Sequence, residues 1–154
     1  MNQRFKIALL FLAALIPGSR SMAAPRVLVA DAWCRAAPVG ALAGGCYLTL
    51  TALAGDRLLG VSTPAANHGE VHTMSMTDGV MRMRQLVDGL ALPAGVAVAL
   101  KPGGEHLMII SPKQTLKAGG VVPMTLRFAK APPVTIQAPI RVGPPAAAAS
   151  MAKH

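Results

Sequence analysis

The sequence predicts an all-β fold, a sandwich or barrel of short strands, and three observations carry that prediction. Apolar and polar residues alternate at period two in segments such as GEVHTMSM (69–76) and VVPMTLRF (121–128). Turn signals separate such segments: PVGALAG, TDG, LPAG, KPGG, KAGG and APP. No stretch holds a 3.6-residue apolar period with helix caps. Short strands at this spacing are the raw material of sandwiches and barrels.

The elements follow in chain order. A length of 154 residues suits one domain. Residues 1–23 read as a signal peptide: Arg4 and Lys6 precede the apolar run IALLFLAALIP, and Ser21 and Ala23 stand at the minus-three and minus-one positions of a cleavage site. The run is well short of the ~20 apolar residues that span a bilayer, so no stable membrane span is expected after cleavage, and the exported chain is expected in the periplasm. Its removal takes away Arg4, Lys6 and Arg20 and no acid, so the formal charge falls from +9 to +6. A single domain is expected over 24–142. Its strands are RVLVADAWCR (26–35), GGCYLTLTAL (44–53), RLLGVST (57–63), GEVHTMSM (69–76), VMRMRQL (80–86), GVAVAL (95–100), EHLMIIS (105–111), VVPMTLRF (121–128) and PVTIQAPIRV (133–142). The remaining GPPAAAASMAKH, 143–154, reads as a disordered tail.

Composition excludes several functions. The exported chain keeps Trp33, Tyr47 and Phe128 as its aromatics, and its Arg and Lys are scattered, so it is not a nucleic-acid binder. Catalysis has little support. Of six acids (Asp31, Asp56, Glu70, Asp78, Asp88 and Glu105), Asp56, Asp78 and Asp88 fall in turn-like segments. No Ser-His-Asp or Cys-His set stands out, and PGG at 102–104 leads into a strand, unlike a phosphate-cradling loop. The chain is not expected to be an enzyme. Cys34 and Cys46 flank a short loop between two strands, and in an exported protein they are expected to form a disulfide.

The chemistry concentrates in HTMSMTDGVMRM, 72–83, which places four methionines beside one of only four histidines. With TDGV as a hairpin tip, residue 76 faces 81, 74 faces 83 and 72 faces 85. His72, Met74 and Met76 then share a face with Met81 and Met83, while Arg82 and Arg84 point the other way. By the same rule His106 and Met108 share a face, and the two groups converge if their strands are neighbours. Thioether and imidazole are soft, neutral donors that favour Cu(I); zinc prefers thiolate, imidazole and carboxylate. A blue-copper centre needs a cysteine beside two histidines, and neither cysteine is near a histidine in sequence. Met76 and Met124 read as core, His68 as a solvated loop residue, and Met151 and His154 as parts of a solvated end.

These residues resemble the PCu(A)C copper-chaperone family of periplasmic proteins with a cupredoxin-like fold. The likeness runs from about Asp31 to Val142 and rests on DAWCRAAPVGALAGGCYLTLT, GVSTPAANHGEVHTMSMTDGVMRMR, LPAG and LKPGGEHLMII. The family motif is a His, ten residues, a Met, twenty-one residues, then His-x-Met. Ten residues separate His72 from Met83, and twenty-two separate Met83 from His106, the extra one falling within RQLVDG. The resemblance implies Cu(I) held by His72, Met83, His106 and Met108, with Met74 as the natural substitute for Met83. It also implies delivery to the dinuclear copper centre of cytochrome c oxidase subunit II, alone or with Sco-type thioredoxin-like proteins. The chain is expected to be a monomer. Two other functions share parts of this pattern: a copper-buffering or tolerance protein with the same site, and a metal-free β-sandwich binding module with the Met stripe as core.

Overall fold

The computed structural model describes residues 26–144. The expected signal peptide lies outside the described residues, as does the expected tail from residue 145 onward. Ten strands follow in order: β1 Val27–Arg35, β2 Ala43–Ala52, β3 Asp56–Ser62, β4 Ala66–Thr77, β5 Val80–Gln85, β6 Leu90–Leu92, β7 Ala97–Leu100, β8 His106–Pro112, β9 Val121–Phe128 and β10 Val134–Arg141. The described residues contain no helix, and none that is long and apolar enough to cross a membrane.

One sheet runs β5-β4-β8-β2-β1, with β7 continuing beyond β8 along the same edge of β2. The other runs β10-β9-β3-β6, and the end of β10 joins it to the first by pairing in parallel with β1. The expected all-β architecture is thus present, and it is cupredoxin-like. The inner faces share one core. Leu48, Leu50, Val71, Leu107 and Ile109 come from the first sheet, and Leu58, Val122, Met124 and Leu126 from the second. Each fully buried Leu among them contributes roughly 1.5–3 kcal/mol relative to exposure.

β1 carries the device that separates core from site. Ala30 pairs with Thr49 and Trp33 with Tyr47, so Asp31 and Ala32 together oppose one residue of β2, and Asp31 has φ +52°. This bulge shifts the alternation by one. Val27, before it, and Cys34, after it, both reach the core, and Trp33 is sent to the outer face. Cys34 and Cys46 are directly opposite, with Cα atoms 4.0 Å apart, and form the expected disulfide at the core side of the β1–β2 hairpin.

The structure corrects two readings. Met76 is not core: it is 66% exposed near the tip of the β4–β5 hairpin, because nothing packs on that end of the sheet. Met124 is fully buried, as expected. His68 lies in a strand, since β4 begins at Ala66 and pairs His68 with Ile110 of β8. Its neighbours Asn67 and Gly69 have little strand preference, and tertiary pairing overrides it. β6, three residues between Gly89 and Pro93, is too short to show a period.

Asp56 begins β3 at 9% exposure and ties the start of that strand to the loop that follows β9. Its carboxylate accepts from the backbone N–H of Arg57 at 2.7 Å, of Lys130 at 3.0 Å and of Ala131 at 2.8 Å. Burial on its own would raise the carboxyl pKa. The backbone donors of Arg57, Ala131, Lys130 and Ala129 together outweigh it and hold Asp56 below its ordinary value. A depressed folded-state pKa means stability that is present above the unfolded value of about 3.9 and lost as pH falls through the folded one. Asp56→Ala should therefore cost about 2–4 kcal/mol at pH 7, from a charged acceptor lost and buried N–H groups left bare. In denaturation from pH 7 to pH 2 the variant should lose less additional stability below about pH 4 than the parent. A variant as stable as the parent at pH 7 contradicts this role.

Candidate metal centre

The hairpin forms as its sequence demands. Asp78 and Gly79 both have positive φ, +52° and +75°, the two-residue turn whose twist suits a β-hairpin. The pairs are Thr77 with Val80, Met76 with Met81, Met74 with Met83 and His72 with Gln85. β8 then lies along the other side of β4 and sets His72 opposite His106 and Glu70 opposite Met108. The convergence that the sequence left open is therefore met. With Val71 and Leu107 in the core, His72, Met74, His106 and Met108 project from the outer face of the first sheet.

A row of rings crosses that face. Trp33 and Tyr47 have centroids 4.7 Å apart, Tyr47 and His106 6.4 Å, and His106 and His72 5.8 Å. Trp33 is 3% exposed yet lies outside the core cluster. Tyr47 lies back along β2 over Gly45, where a Cβ would come within 2.7 Å of its hydroxyl oxygen, so a side chain at 45 would displace the tyrosine. Gly45 pairs with Met108, which is half-buried beside it. An open pocket of about 220 Å³ lies over this face, lined by Arg35, Tyr47, Met74, Met83, Pro102, Gly103 and His106. Met83 and His106 of the expected ligand set line it together. His72 stands one strand over from His106, and Met108 two residues along from it, beyond the lining.

Hydrogen bonds fix which nitrogen each histidine offers. Gly104 carbonyl can only accept, so His106 Nδ1–H donates to it at 2.9 Å and the Nε2 lone pair is free. Glu70 Oε2 is 2.6 Å from His72 Nε2, and Oε1 is 3.2 Å from His68 Nε2. The His72 hydrogen bond holds the Glu70 carboxyl below its ordinary range, against the opposing effect of burial, with His68 adding to it. The ionised carboxylate accepts, so His72 donates from Nε2, and in the neutral ring Nδ1 then carries the lone pair. That Nδ1 is buried and has no hydrogen-bond partner among the described residues. In the neutral rings each histidine thus keeps one nitrogen without a hydrogen-bond partner among the described residues, while a carboxylate and a carbonyl orient the two rings.

The donors present are neutral: two imidazoles and the thioethers of Met74, Met83 and Met108. Cys34 and Cys46 are joined to each other and supply no thiolate. Among the described residues no group of three or more His, Cys, Asp and Glu side chains is placed to hold a metal ion. Arg35 adds a fixed positive charge at the pocket, which opposes a divalent ion about twice as strongly as a monovalent one. The donor set fits a soft monovalent ion.

Sequence reasoning missed Glu70, Tyr47 and Arg35. Glu70 had a usable signal, since it stands two residues before His72 and so on its face. Tyr47 and Arg35 reach the pocket only through the β1–β2–β8 register.

A cupredoxin-like sandwich with soft neutral donors on one sheet face defines the class. The chain belongs to the LpqE-like family, whose model, described as "Putative lipoprotein LpqE-like", matches residues 27–140. It is 30% identical over 129 residues to "Putative lipoprotein Lxx21020" of Leifsonia xyli subsp. xyli (strain CTCB07), covering 84% of this chain and 76% of that one. Among solved structures it resembles a copper-bound PCuAC domain from PmoF2, at 26% identity and TM-score 0.63, over 79% of this chain and 97% of that domain. It also resembles the solution structure of apo-DR1885 from Deinococcus radiodurans, at 26% identity and TM-score 0.58, over 92% and 97% of the two chains. The family resemblance stated from sequence is borne out by these PCuAC relatives.

The hydrogen bonds predict opposite tautomers in the metal-free protein: His72 protonated on Nε2 and His106 on Nδ1. Long-range ¹H–¹⁵N correlation of the imidazole rings near neutral pH reads this directly. A proton on His72 Nδ1 or His106 Nε2 contradicts the assignment.

Proposed function

We propose that this protein is an exported Cu(I) chaperone that holds its cargo with His72, Met83, His106 and Met108. Met74, paired with Met83 and lining the same pocket, is the first substitute among the sulfur donors. The observation that carries the reading is the buried, unpartnered Nδ1 of His72 opposite His106. The copper-bound PCuAC relative supports it.

Neutral donors suit a carrier. They satisfy a monovalent ion without adding charge, and no single bond from an uncharged thioether is hard to exchange. Met83 is 51% exposed, so an acceptor thiolate can approach from its side and displace one sulfur at a time while the histidines still hold. In this reading the acceptor is the dinuclear copper centre of cytochrome c oxidase subunit II, reached directly or with a Sco-type thioredoxin-like protein. The carrier acts as a monomer in the periplasm after loss of residues 1–23. The family resemblance supports that route, and the disulfide supports an oxidising compartment. Both cysteines of the sequence are in that disulfide, so neither is free to carry a lipid thioether in the folded protein, whatever the lipoprotein names of the relatives denote. The role is that of a carrier and not an enzyme.

Anaerobic competition against a Cu(I)-specific chromophoric chelator should show one tightly bound equivalent. Ala at His72, Met83, His106 or Met108 should weaken it by tenfold or more, while Met124→Leu, a change confined to the core, should not. A Met83→Ala protein that keeps the parent affinity would move the sulfur assignment to Met74. Parent affinity in all four variants would sink the site.

A further inference from the structure

The β4–β5 hairpin carries more sulfur than the proposed site uses. Met74 pairs with Met83 and Met76 with Met81, all on the face that bears His72. The outer pair is in water: Met76 is 66% exposed and Met81 56%. Every residue of β5 is exposed, and β5 is an edge strand. Core packing therefore does not explain these methionines. Strand formation does not call for them either, since β-branched and aromatic residues serve a pleated surface better. What they supply is thioether chemistry in an ordered row, with the Met76–Met81 rung outermost, the Met74–Met83 rung next and His72 after that.

We infer that Met76 and Met81 form an outer, weaker Cu(I) station through which the ion enters and leaves the inner site. The inference rests on the inner site proposed above. Residues directly opposite on antiparallel strands have Cβ atoms roughly 4.5–5.5 Å apart, close enough for two flexible thioethers to hold one soft monovalent ion between them. Successive rungs are two residues apart along the strand, roughly 7 Å. Met side chains have three rotatable bonds, so a sulfur of the inner rung can bond the ion as a sulfur of the outer rung lets go. The ion keeps its single charge and no electron moves. Imidazole donors are available only at the inner end, so affinity rises inward and loading runs downhill. Release requires the reverse path, which ends at the most exposed sulfurs of the hairpin, where an acceptor can reach them.

The test is a titration of [methyl-¹³C]methionine-labelled protein with Cu(I) under anaerobic conditions, read at each methyl resonance. The first equivalent should move Met83 and Met108, and a second, weaker one should move Met76 and Met81. Met76→Leu/Met81→Leu keeps the exposed hairpin apolar, and His72 tautomer signals report that the inner face is intact. This double variant should bind the first equivalent within twofold of the parent, lose the second, and pass Cu(I) to bathocuproine disulfonate about tenfold more slowly. Unmoved Met76 and Met81 resonances, or transfer at the parental rate, would overturn the station while leaving the inner site standing. Shifts at Met76 and Met81 with none at Met83 or Met108 would instead remove the inner site, and with it the relay.

Discussion

The site depends on one register. β4 and β8 pair so that His72 lies opposite His106, and a slip of one residue by either strand would turn that strand's imidazole toward the core and bring its Val71 or Leu107 outward. That slip is resisted by the burial of Val71 and Leu107, at 2% and 0% exposure, and of Ile109 two residues further on. The hydrophobic core of one face thus fixes the placement of the polar and sulfur groups on the other. Glu70 and the Gly104 carbonyl then set the ring orientations, leaving one lone pair free on each imidazole.

The same logic governs the far side of the site. The bulge at Asp31–Ala32 lets β1 bury Val27 and Cys34 on one face while delivering Trp33 to the other. The Cys34–Cys46 disulfide lies beneath the Trp33–Tyr47 pair and holds β1 to β2 at that point, for cross-linking a short loop limits the freedom of the unfolded chain. Tyr47 then has a firm base from which to pack toward His106. Cysteine here is structural, and the absence of a thiolate from the metal face follows from its use in the core. That separates this domain from an electron-transfer copper centre, which needs a cysteine ligand.

Much of this was legible in the sequence, for physical reasons that differ by element. The hairpin was readable because Asp78 and Gly79 tolerate positive φ and because a two-residue turn dictates every pair outward from it. The disulfide was readable from two cysteines flanking a short hairpin loop. The approach of His72 to His106 was not fixed, since β4 and β8 are separated by three other strands and nothing local specifies their pairing. Period two told which face Met76 occupies but not whether anything covers that face, so a residue read as core is exposed. Asn67, His68 and Gly69 look like a loop by composition and are a strand because β8 pairs with them. The β1 bulge has no composition signal beyond an Asp in a strand. The structure places the orienting carboxylate of Glu70 in a role that the sequence reading never gave it.

X-ray absorption at the copper edge of the Cu(I)-loaded protein tests the central claim most directly, because it reads donor types without reference to any variant. The account predicts a first shell of mixed nitrogen and sulfur scatterers, with the multiple-scattering signature of imidazole from His72 and His106 and sulfur from the methionines. A first shell of nitrogen and oxygen alone, or one of sulfur alone with no imidazole signature, would contradict it.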